Sequence, residues 1–332
     1  MKEEYICPCR EVDPDNFLDN EEVIKLLATK DNYKFTEKDY LKVYNCIHCN
    51  DCGISEERFQ LKQKFLDDGN SIDGLKETIK TLETFGTPFK LNKNRIKPMQ
   101  GIPQKSARLL YLGCFTTVKT PHYGEHVIEY FLQHNIDFCV LEEEICCGYP
   151  ILCTGAIKSY EKLVAKNLKI FQERGFKEIV TVCPSCFMVF KKHYTNEGIK
   201  IRYFTEFLKP SEIKKSGNLI IQHACPLRNG EIPGIVEQLV QLYENSGYNV
   251  LKSVPNDCCG FGVGHQLRID ISEAIAKKRM LDFKPEGGYL ADVLEGEKYI
   301  TSYCPDAYWV LKAFGKRDHI EFNVKDLCEL LL

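Results

Sequence analysis

The sequence predicts an α/β protein in which one strand–helix unit is used twice, over residues 106–214 and 215–332, behind an all-helical stretch over residues 1–105. Three observations lead there. From residue 106 short apolar runs alternate with longer amphipathic ones, the pattern of parallel strands joined by crossover helices. A cysteine pattern occurs twice: Cys114, Cys146-Cys147-Gly148 and Cys183 return as Cys225, Cys258-Cys259-Gly260 and Cys304, displaced by 111, 112 and 121 residues. Before residue 106 there is no strong strand pattern.

Taken in order, Leu18 to Ala28, Glu37 to Tyr44, Glu57 to Leu66 and Ile72 to Phe85 read as helices, with Ile72, Leu75, Ile79 and Leu82 spaced to line one face. Gly86-Thr-Pro88 stops the last of these, and a linker rich in Lys, Asn, Pro and Gln runs from Lys90 to Lys105. The first unit then reads as a strand over Arg108 to Gly113, a helix over Gly124 to His134, a strand over Ile136 to Leu141, a helix over Ile157 to Arg174 and a strand over Glu178 to Val182. The second repeats the order. Asn218 to Ala224, Asn249 to Ser253 and Lys298 to Tyr303 are strands, with helices over Pro233 to Asn245 and Ile271 to Phe283. The tails also correspond, Ile201-Arg-Tyr-Phe with Ile320-Glu-Phe-Asn, so the whole reads as a duplicated Rossmann-like unit.

Composition narrows the function. A 332-residue chain has room for two or three cores, and its 44% hydrophobic and 27% charged residues are an ordinary globular balance. A net charge of −3 argues against nucleic acid or an anionic membrane as the main partner. The start, Met1-Lys-Glu-Glu-Tyr-Ile-Cys7, has no apolar run of signal-peptide length, and no stretch reaches the roughly 18 apolar residues of a membrane span. The 17 cysteines are then expected in a reducing, cytoplasmic setting, where metal ligation rather than disulfide bonding explains them.

In both units the cysteines fall at the carboxyl ends of expected strands, the crevice where open parallel sheets bind ligands. Cys183 and Cys304 precede a proline and a helical pattern, which makes each the cap of a helix whose dipole is expected to lower the thiol pKa. The glycine after each pair permits backbone angles that turn two adjacent sulfurs to one centre. Zinc takes four ligands, usually as two close pairs, so five thiols including an adjacent pair suit it poorly. The first unit offers Cys114, Cys146, Cys147, Cys183 and Cys186, a set that points to an iron–sulfur cluster. The second offers Cys225, Cys258, Cys259 and Cys304, with Ala307 standing where Cys186 stands. Asp306 is next to that gap, but its side chain is expected to point elsewhere. His223 and His265 lie near by sequence, as ligands or proton donors or as hydrogen-bonded structural residues.

The N-terminal stretch holds Cys46-Ile-His-Cys49-Asn-Asp-Cys52, the three-thiol run of a bacterial ferredoxin, without the usual fourth cysteine. That ligand is expected from Cys7, which precedes Pro8, with Cys9 competing. Cys139, Cys153 and Cys328 fit no motif and read as packing. Thr84 to Gly124 has no acidic residue, while Lys90, Lys93, Arg95, Lys97, Lys105, Arg108 and Lys119 are basic. Such a stretch steers an anionic substrate or an acidic donor protein, offsets cluster charge or solvates a linker. Gly260-Phe-Gly262-Val-Gly264 does not join a strand to a helix and is not read as a nucleotide loop.

Together these motifs resemble the doubled-cysteine (CCG) iron–sulfur proteins typified by the B subunit of heterodisulfide reductase. The N-terminal stretch resembles the helical ferredoxin module of its C subunit, fused here as in the D-type subunit. The resemblance implies an N-terminal [4Fe–4S] cubane and a non-cubane [4Fe–4S] cluster on Cys114, Cys146, Cys147, Cys183 and Cys186. It implies a second, incomplete cluster on Cys225, Cys258, Cys259 and Cys304. The implied activity is an oxidoreductase subunit of anaerobe type that takes electrons from a flavoprotein or ferredoxin-like donor and reduces a disulfide or similar acceptor, such as a small thiol/disulfide substrate. The alternative it leaves open is a non-catalytic electron-transfer subunit of a flavin-dependent hydroxyacid or glycerol-phosphate dehydrogenase, and, from another class, a structural zinc protein.

Overall fold

The computed structural model describes residues 7–29, 33–49, 52–90, 96, 100–194, 198–228, 232–252, 257–262, 267–284, 295–318 and 323–332. Among these, helices surround two parallel sheets. The first sheet holds β1 (Arg108–Tyr111), β2 (Glu178–Thr181) and β3 (Lys200–Tyr203), in the order β1-β2-β3. The second holds β4 (Asn218–Gln222), β5 (Asn249–Val250), β6 (Lys298–Ser302) and β7 (Asn323–Val324), in the order β5-β4-β6-β7. Every pairing is parallel, with registers such as Leu110↔Val180 and Ile220↔Ile300.

The strand expected over Ile136 to Leu141 is reduced to one parallel bridge, Leu109↔Cys139, held by Leu110 N–H to the Cys139 carbonyl and Cys139 N–H to the Arg108 carbonyl, each 2.9 Å. That segment lies on the outer side of β1, as β5 lies on the outer side of β4. The chain order therefore reverses direction between β1 and β2, and again between β4 and β6. These are switch points, where a crevice opens beyond the strand ends. Cys114 and Cys183 follow β1 and β2, and Cys225 and Cys304 follow β4 and β6. Adjacent strands on either side of a switch point thus deliver cysteines far apart in sequence to one place.

Helices cover the sheets as the periodicity requires. Ile157–Arg174 forms over the expected bounds, while Pro121–Gln133, Ile235–Ser246 and Ile269–Leu281 begin or end within a few residues of theirs. Fully buried Leu110, Val180, Leu219, Ile220 and Ile300 belong to one apolar cluster that runs through both sheets. Tyrosines pin the sheets together. The Tyr123 hydroxyl donates to the Ser302 carbonyl at 3.0 Å, and the Tyr203 hydroxyl lies between the carbonyls of Val182 and Tyr303, the residues just before Cys183 and Cys304.

The described residues of the N-terminal stretch form helices joined by loops, and no strand. Asp19 caps the Asn20–Ala28 helix and forms a reciprocal box with Glu22, and the Ser55–Asp67 and Leu75–Phe85 helices follow. Val23, Tyr44, Leu61 and Phe65 make its own core. The face expected from Ile72 to Leu82 spans two cores: Ile72 and Leu75 join this one, and Ile79 and Leu82 pack on the first sheet's cluster. Arg268, nearly buried, ties the stretch to the second sheet's layer by donating to Asp13 at 2.7 Å and to the Leu41 carbonyl at 3.1 Å. Residues 320–322 of the tail repeat, and Ser253, lie outside the described residues. No described helix is long and apolar enough to cross a membrane.

Candidate metal centre

The five sulfurs of the first motif form one contact chain. Cys114 and Cys146 are 3.5 Å apart and Cys147 and Cys186 are 3.3 Å apart, with Cys146 bonded to Cys147 and Cys186 to Cys183 through hydrogen bonds. Gly113, at φ +87°, makes room for them: a Cβ there would lie 3.4 Å from the Cys183 Cβ and 3.5 Å from the Cys186 sulfur. Cys183 caps the Pro184–His193 helix, with Pro184 in its first turn. Donation from Cys114, then Cys147, holds the Cys146 thiol well below its ordinary value, while Cys114 itself is pushed up by the same pairing and by burial. Glu144 carries the loop before Cys114, accepting from the Leu112 and Gly113 N–H groups at 2.8 and 2.6 Å, and burial raises its carboxyl to about 8.

The second set is built the same way. Cys304 caps the Pro305–Arg317 helix, Cys225 pairs with Cys258, and the Gly260 N–H donates to the Cys258 sulfur at 3.4 Å. The corresponding Gly148 N–H donates to Cys146. Both glycines have positive φ, +92° at Gly148 and +75° at Gly260, as the pairs were expected to require. Two expectations fail here. Burial, followed by the Asp306 carboxylate, drives the Cys304 thiol well above its ordinary value, so the helix dipole does not prevail at that cap. And Asp306 does not point away: its carboxylate lies 3.9 Å from the Cys304 sulfur and 4.0 Å from that of Cys183, between the two sets. In the first turn of a helix the Cα–Cβ bond tilts toward the N-terminus, which returns this side chain to the cap. Burial raises the Asp306 carboxyl to about 7.

The N-terminal thiols lie beside the second set. Cys9 shares an apolar cluster with Ile47, Cys225 and Cys258, against which Cys7 and Cys49 pack. Cys7 and Cys9 are hydrogen-bonded to each other, which lowers Cys7 to about 6 and raises Cys9, so both stand at the Cys46, Cys49 and Cys52 group. The His48 N–H donates to the Cys46 sulfur at 3.3 Å from a left-handed turn, φ +58°. Two buried cations face these thiols, a feature the sequence did not announce. Arg58 donates to the Leu18 carbonyl, Asn20 and Cys52, and Lys62 donates to the Cys46 carbonyl and touches His48.

A cavity of about 250 Å³ opens onto Cys114, Cys147, Cys183 and Cys186. Its far wall comes from the second sheet's layer, through Phe261, Asp306 and Trp309, and its rim from Phe89, Phe115 and Lys119. A smaller one, about 30 Å³, lies between Cys49 and the Cys225, Cys258, Cys259 and Cys304 set. Tyr149, Ser185, Phe261, Gly262 and Asp306 wall both.

Of the remaining candidates, His223 also lines the smaller cavity beside the second cysteine set. His223 lies 3.5 Å from the Tyr303 hydroxyl, and burial lowers it to about 4, so it is neutral near pH 7. His265, Gly264, Lys93, Arg95 and Lys97 lie outside the described residues. Cys139 and Cys328 are buried in the sheet cores, and Cys153 is buried beside Tyr149 and Lys62. Of the basic stretch, Lys90 pairs with Glu77, Arg108 with Glu178, and Lys119 lies over the Phe89 ring.

The donor chemistry fits iron–sulfur ligation. None of the 17 cysteines is in a disulfide, sulfur is the ligand such clusters take, and backbone N–H groups already point at Cys46, Cys146 and Cys258. Among the described residues no carboxylate pairs with Arg58 or Lys62. A buried cation without a counter-charge is costly, and a thiolate-held anionic group beside it supplies one.

The sequence matches the family model for the cysteine-rich domain (CCG) twice, over residues 109–191 and 219–312, and the chain belongs to that family. It is similar to an uncharacterized iron–sulfur protein of Methanococcus maripaludis, 23% identical over 326 residues, 87% of this chain and 63% of the relative. It is also similar to the D-type polypeptide of the dihydromethanophenazine:CoB–CoM heterodisulfide reductase of Methanosarcina barkeri, 25% identical over 238 residues, 63% of this chain and 54% of the relative. In fold it is similar to a hypothetical protein from Helicobacter pylori, with a TM-score of 0.50 and 12% identity over 96% of this chain and 64% of that one. The chain thus spans less than two-thirds of the length of each. The two curated relatives are an iron–sulfur protein and an oxidoreductase subunit.

Proposed function

We propose that this chain is the acceptor-reducing subunit of a heterodisulfide-reductase-like complex, in which a donor protein supplies electrons singly and a disulfide or similar molecule takes up two. In this reading Cys114, Cys146, Cys147, Cys183 and Cys186 hold a non-cubane [4Fe–4S] cluster. Cys225, Cys258, Cys259 and Cys304 hold a second, altered cluster, and Cys46, Cys49 and Cys52 hold a cubane with Cys7 or Cys9. The two sheet units are read as a duplicated Rossmann-like domain, residues 106–214 and 215–332, behind a ferredoxin-like helical domain, residues 1–105. When bound, such clusters supply one-electron redox steps and, at an open iron, a soft acid for a thiolate.

The observation that carries the reading is the cavity beside the first cysteine set. An electron relay needs close packing and no space for a substrate. A reductase needs a chamber at the terminal group; about 250 Å³ lies against Cys114, Cys147, Cys183 and Cys186, and in this reading the cluster takes the part next to the sulfurs and leaves the end walled by Phe89, Phe115 and Trp309 for an acceptor. The chain's own residues divide the remaining tasks. Cys49, packed with Cys225 and Cys258, brings the N-terminal group within reach of the second set, and Asp306 stands between the second set and the first. Phe115, Phe261 and Trp309 limit water at the chamber.

EPR spectra of anaerobically purified protein with and without candidate disulfides test this. A signal induced by substrate and lost in Cys186→Ala supports acceptor reduction at the first set. A spectrum indifferent to every acceptor contradicts it.

A further inference from the structure

The second cysteine set is one sulfur short. Ala307 is the third residue of the helix capped by Cys304, where Cys186 is the third residue of the helix capped by Cys183. Ala307 is buried and lines the small cavity bounded by Cys225, Cys258, Cys259 and Cys304. A fifth sulfur also lines that cavity, and it comes from the N-terminal run: Cys49. Among the described residues no other N-terminal thiol does so. Cys49 packs with Cys225 and Cys258, and its charge bears on Cys225.

The rest of the run faces elsewhere. Arg58 has Cys46, Cys52 and Cys7 as its charged partners, and Cys46 has Cys52 and Cys7. Cys9 is hydrogen-bonded to Cys7 and has Cys46, then Cys49, among its further neighbours. Between Cys46 and Cys49, His48 takes a left-handed backbone, φ +58°, an uncommon conformation for a residue with a side chain that bends the run between the two cysteines.

We propose that Cys49 is the fifth sulfur of the second set, supplying from the N-terminal stretch what the first set takes from Cys186. This rests on the iron–sulfur reading and moves one sulfur within it. Cys7, Cys9, Cys46 and Cys52 then hold the N-terminal group, the four thiols that a cubane takes, and the choice between Cys7 and Cys9 disappears. Sets of five, five and four account for every cysteine except Cys139, Cys153 and Cys328, which are buried. Because Cys46 and Cys49 are three residues apart, one short piece of backbone joins the two centres and gives electrons a path between them.

Iron and sulfide are counted, and EPR spectra recorded, on the anaerobically purified 332-residue chain and its Cys49→Ser, Cys46→Ser and Cys258→Ser variants. Cys49→Ser is also combined in turn with Cys258→Ser, Cys46→Ser and Ala307→Cys. A serine oxygen is a harder and poorer partner for iron than a thiolate. Cys49→Ser is expected to lose about four irons, together with the signal that Cys258→Ser loses. Adding Cys258→Ser costs no further iron, whereas adding Cys46→Ser raises the loss to about eight. Ala307→Cys returns both iron and signal to the Cys49→Ser chain. Where Cys49→Ser alone yields no folded protein, that double variant decides: parental iron supports the assignment and persistent loss overturns it. A Cys49→Ser protein that keeps the parental iron and spectrum, or loses the Cys46→Ser signal instead, overturns the assignment and leaves the iron–sulfur reading standing. Parent protein without iron overturns both.

Discussion

The carboxylate of Asp306 lies 4.0 Å from the sulfur of Cys183, a residue of the other sheet unit 123 positions earlier in the chain. It is 3.9 Å from Cys304 as well, so a single acidic group stands between the two cysteine sets. Negative charge at that distance in a partly buried site disfavours adding an electron to either. Asp306→Asn keeps the shape and removes the charge. Its midpoint potentials, followed by EPR, are expected to move upward at pH 8 while iron content stays the same. Potentials that do not move would detach Asp306 from both sets.

Gly260 cannot carry a side chain. At φ +75° an added Cβ would sit 2.4 Å from the Ala276 amide nitrogen and 2.5 Å from the Ser272 carbonyl oxygen, both backbone atoms of the helix behind it. Gly69 has a similar φ, +94°, with nothing within 4 Å. Gly69→Ala is expected to cost about 1–2 kcal/mol, the strain of the left-handed backbone alone. Gly260→Ala is expected to cost at least about 3 kcal/mol and to lower iron loading at the second set. Thermal unfolding and iron assay of the two variants make the comparison.

The C-terminal helix, Leu327–Leu331, is held by a pH-sensitive pair. Asp326 caps it by accepting the Glu329 N–H at 2.9 Å and meets His126 Nδ1 at 2.6 Å. That hydrogen bond raises His126 above its ordinary 6.5, while burial raises Asp326 against the pull of the imidazolium. Because the folded-state value of His126 is the higher one, its contribution is fully present below pH 6.5 and fades as pH rises through the raised value. The melting temperature of His126→Gln is expected to lie below the parent's near pH 6 and to converge with it in alkali. Asp326→Ala is expected to lose about 1–2 kcal/mol at every pH, because the cap is lost with the pair.

Arg268 anchors the N-terminal stretch. Its guanidinium is nearly buried and spans Asp13, Asp270 and the Leu41 carbonyl. Removing one partner of a fully buried pair costs about 3–5 kcal/mol; the carboxylates here keep access to water, so Arg268→Met is expected to cost about 2–3 kcal/mol. Limited proteolysis is expected to release the first 100 or so residues sooner in the variant.

Much of this was readable from cysteine spacing, because strand ends at a switch point must converge whatever fills the loops between them. The strand over Ile136 to Leu141 was over-read: its apolar run packs on the core, but only Cys139 reaches the ladder. Asp306 was misjudged because sequence spacing around a helix does not convey the backward tilt of first-turn side chains. Lys62 and Arg58 carried no signal, since a charged residue on a helix usually marks the solvated face. Here Lys62 faces the Cys46 carbonyl and His48, and Arg58 faces the Leu18 carbonyl. Phe115 and Phe261 did carry one, each directly following a cysteine motif, and its meaning emerged only with the chamber they line.

Iron and acid-labile sulfide assayed on anaerobically purified protein test the central claim most directly. About eight to twelve irons per chain, with matching sulfide and falling by about four in Cys49→Ser, is the result this account predicts. Zinc without sulfide, or metal-free protein whose cysteines pair as disulfides, would contradict it.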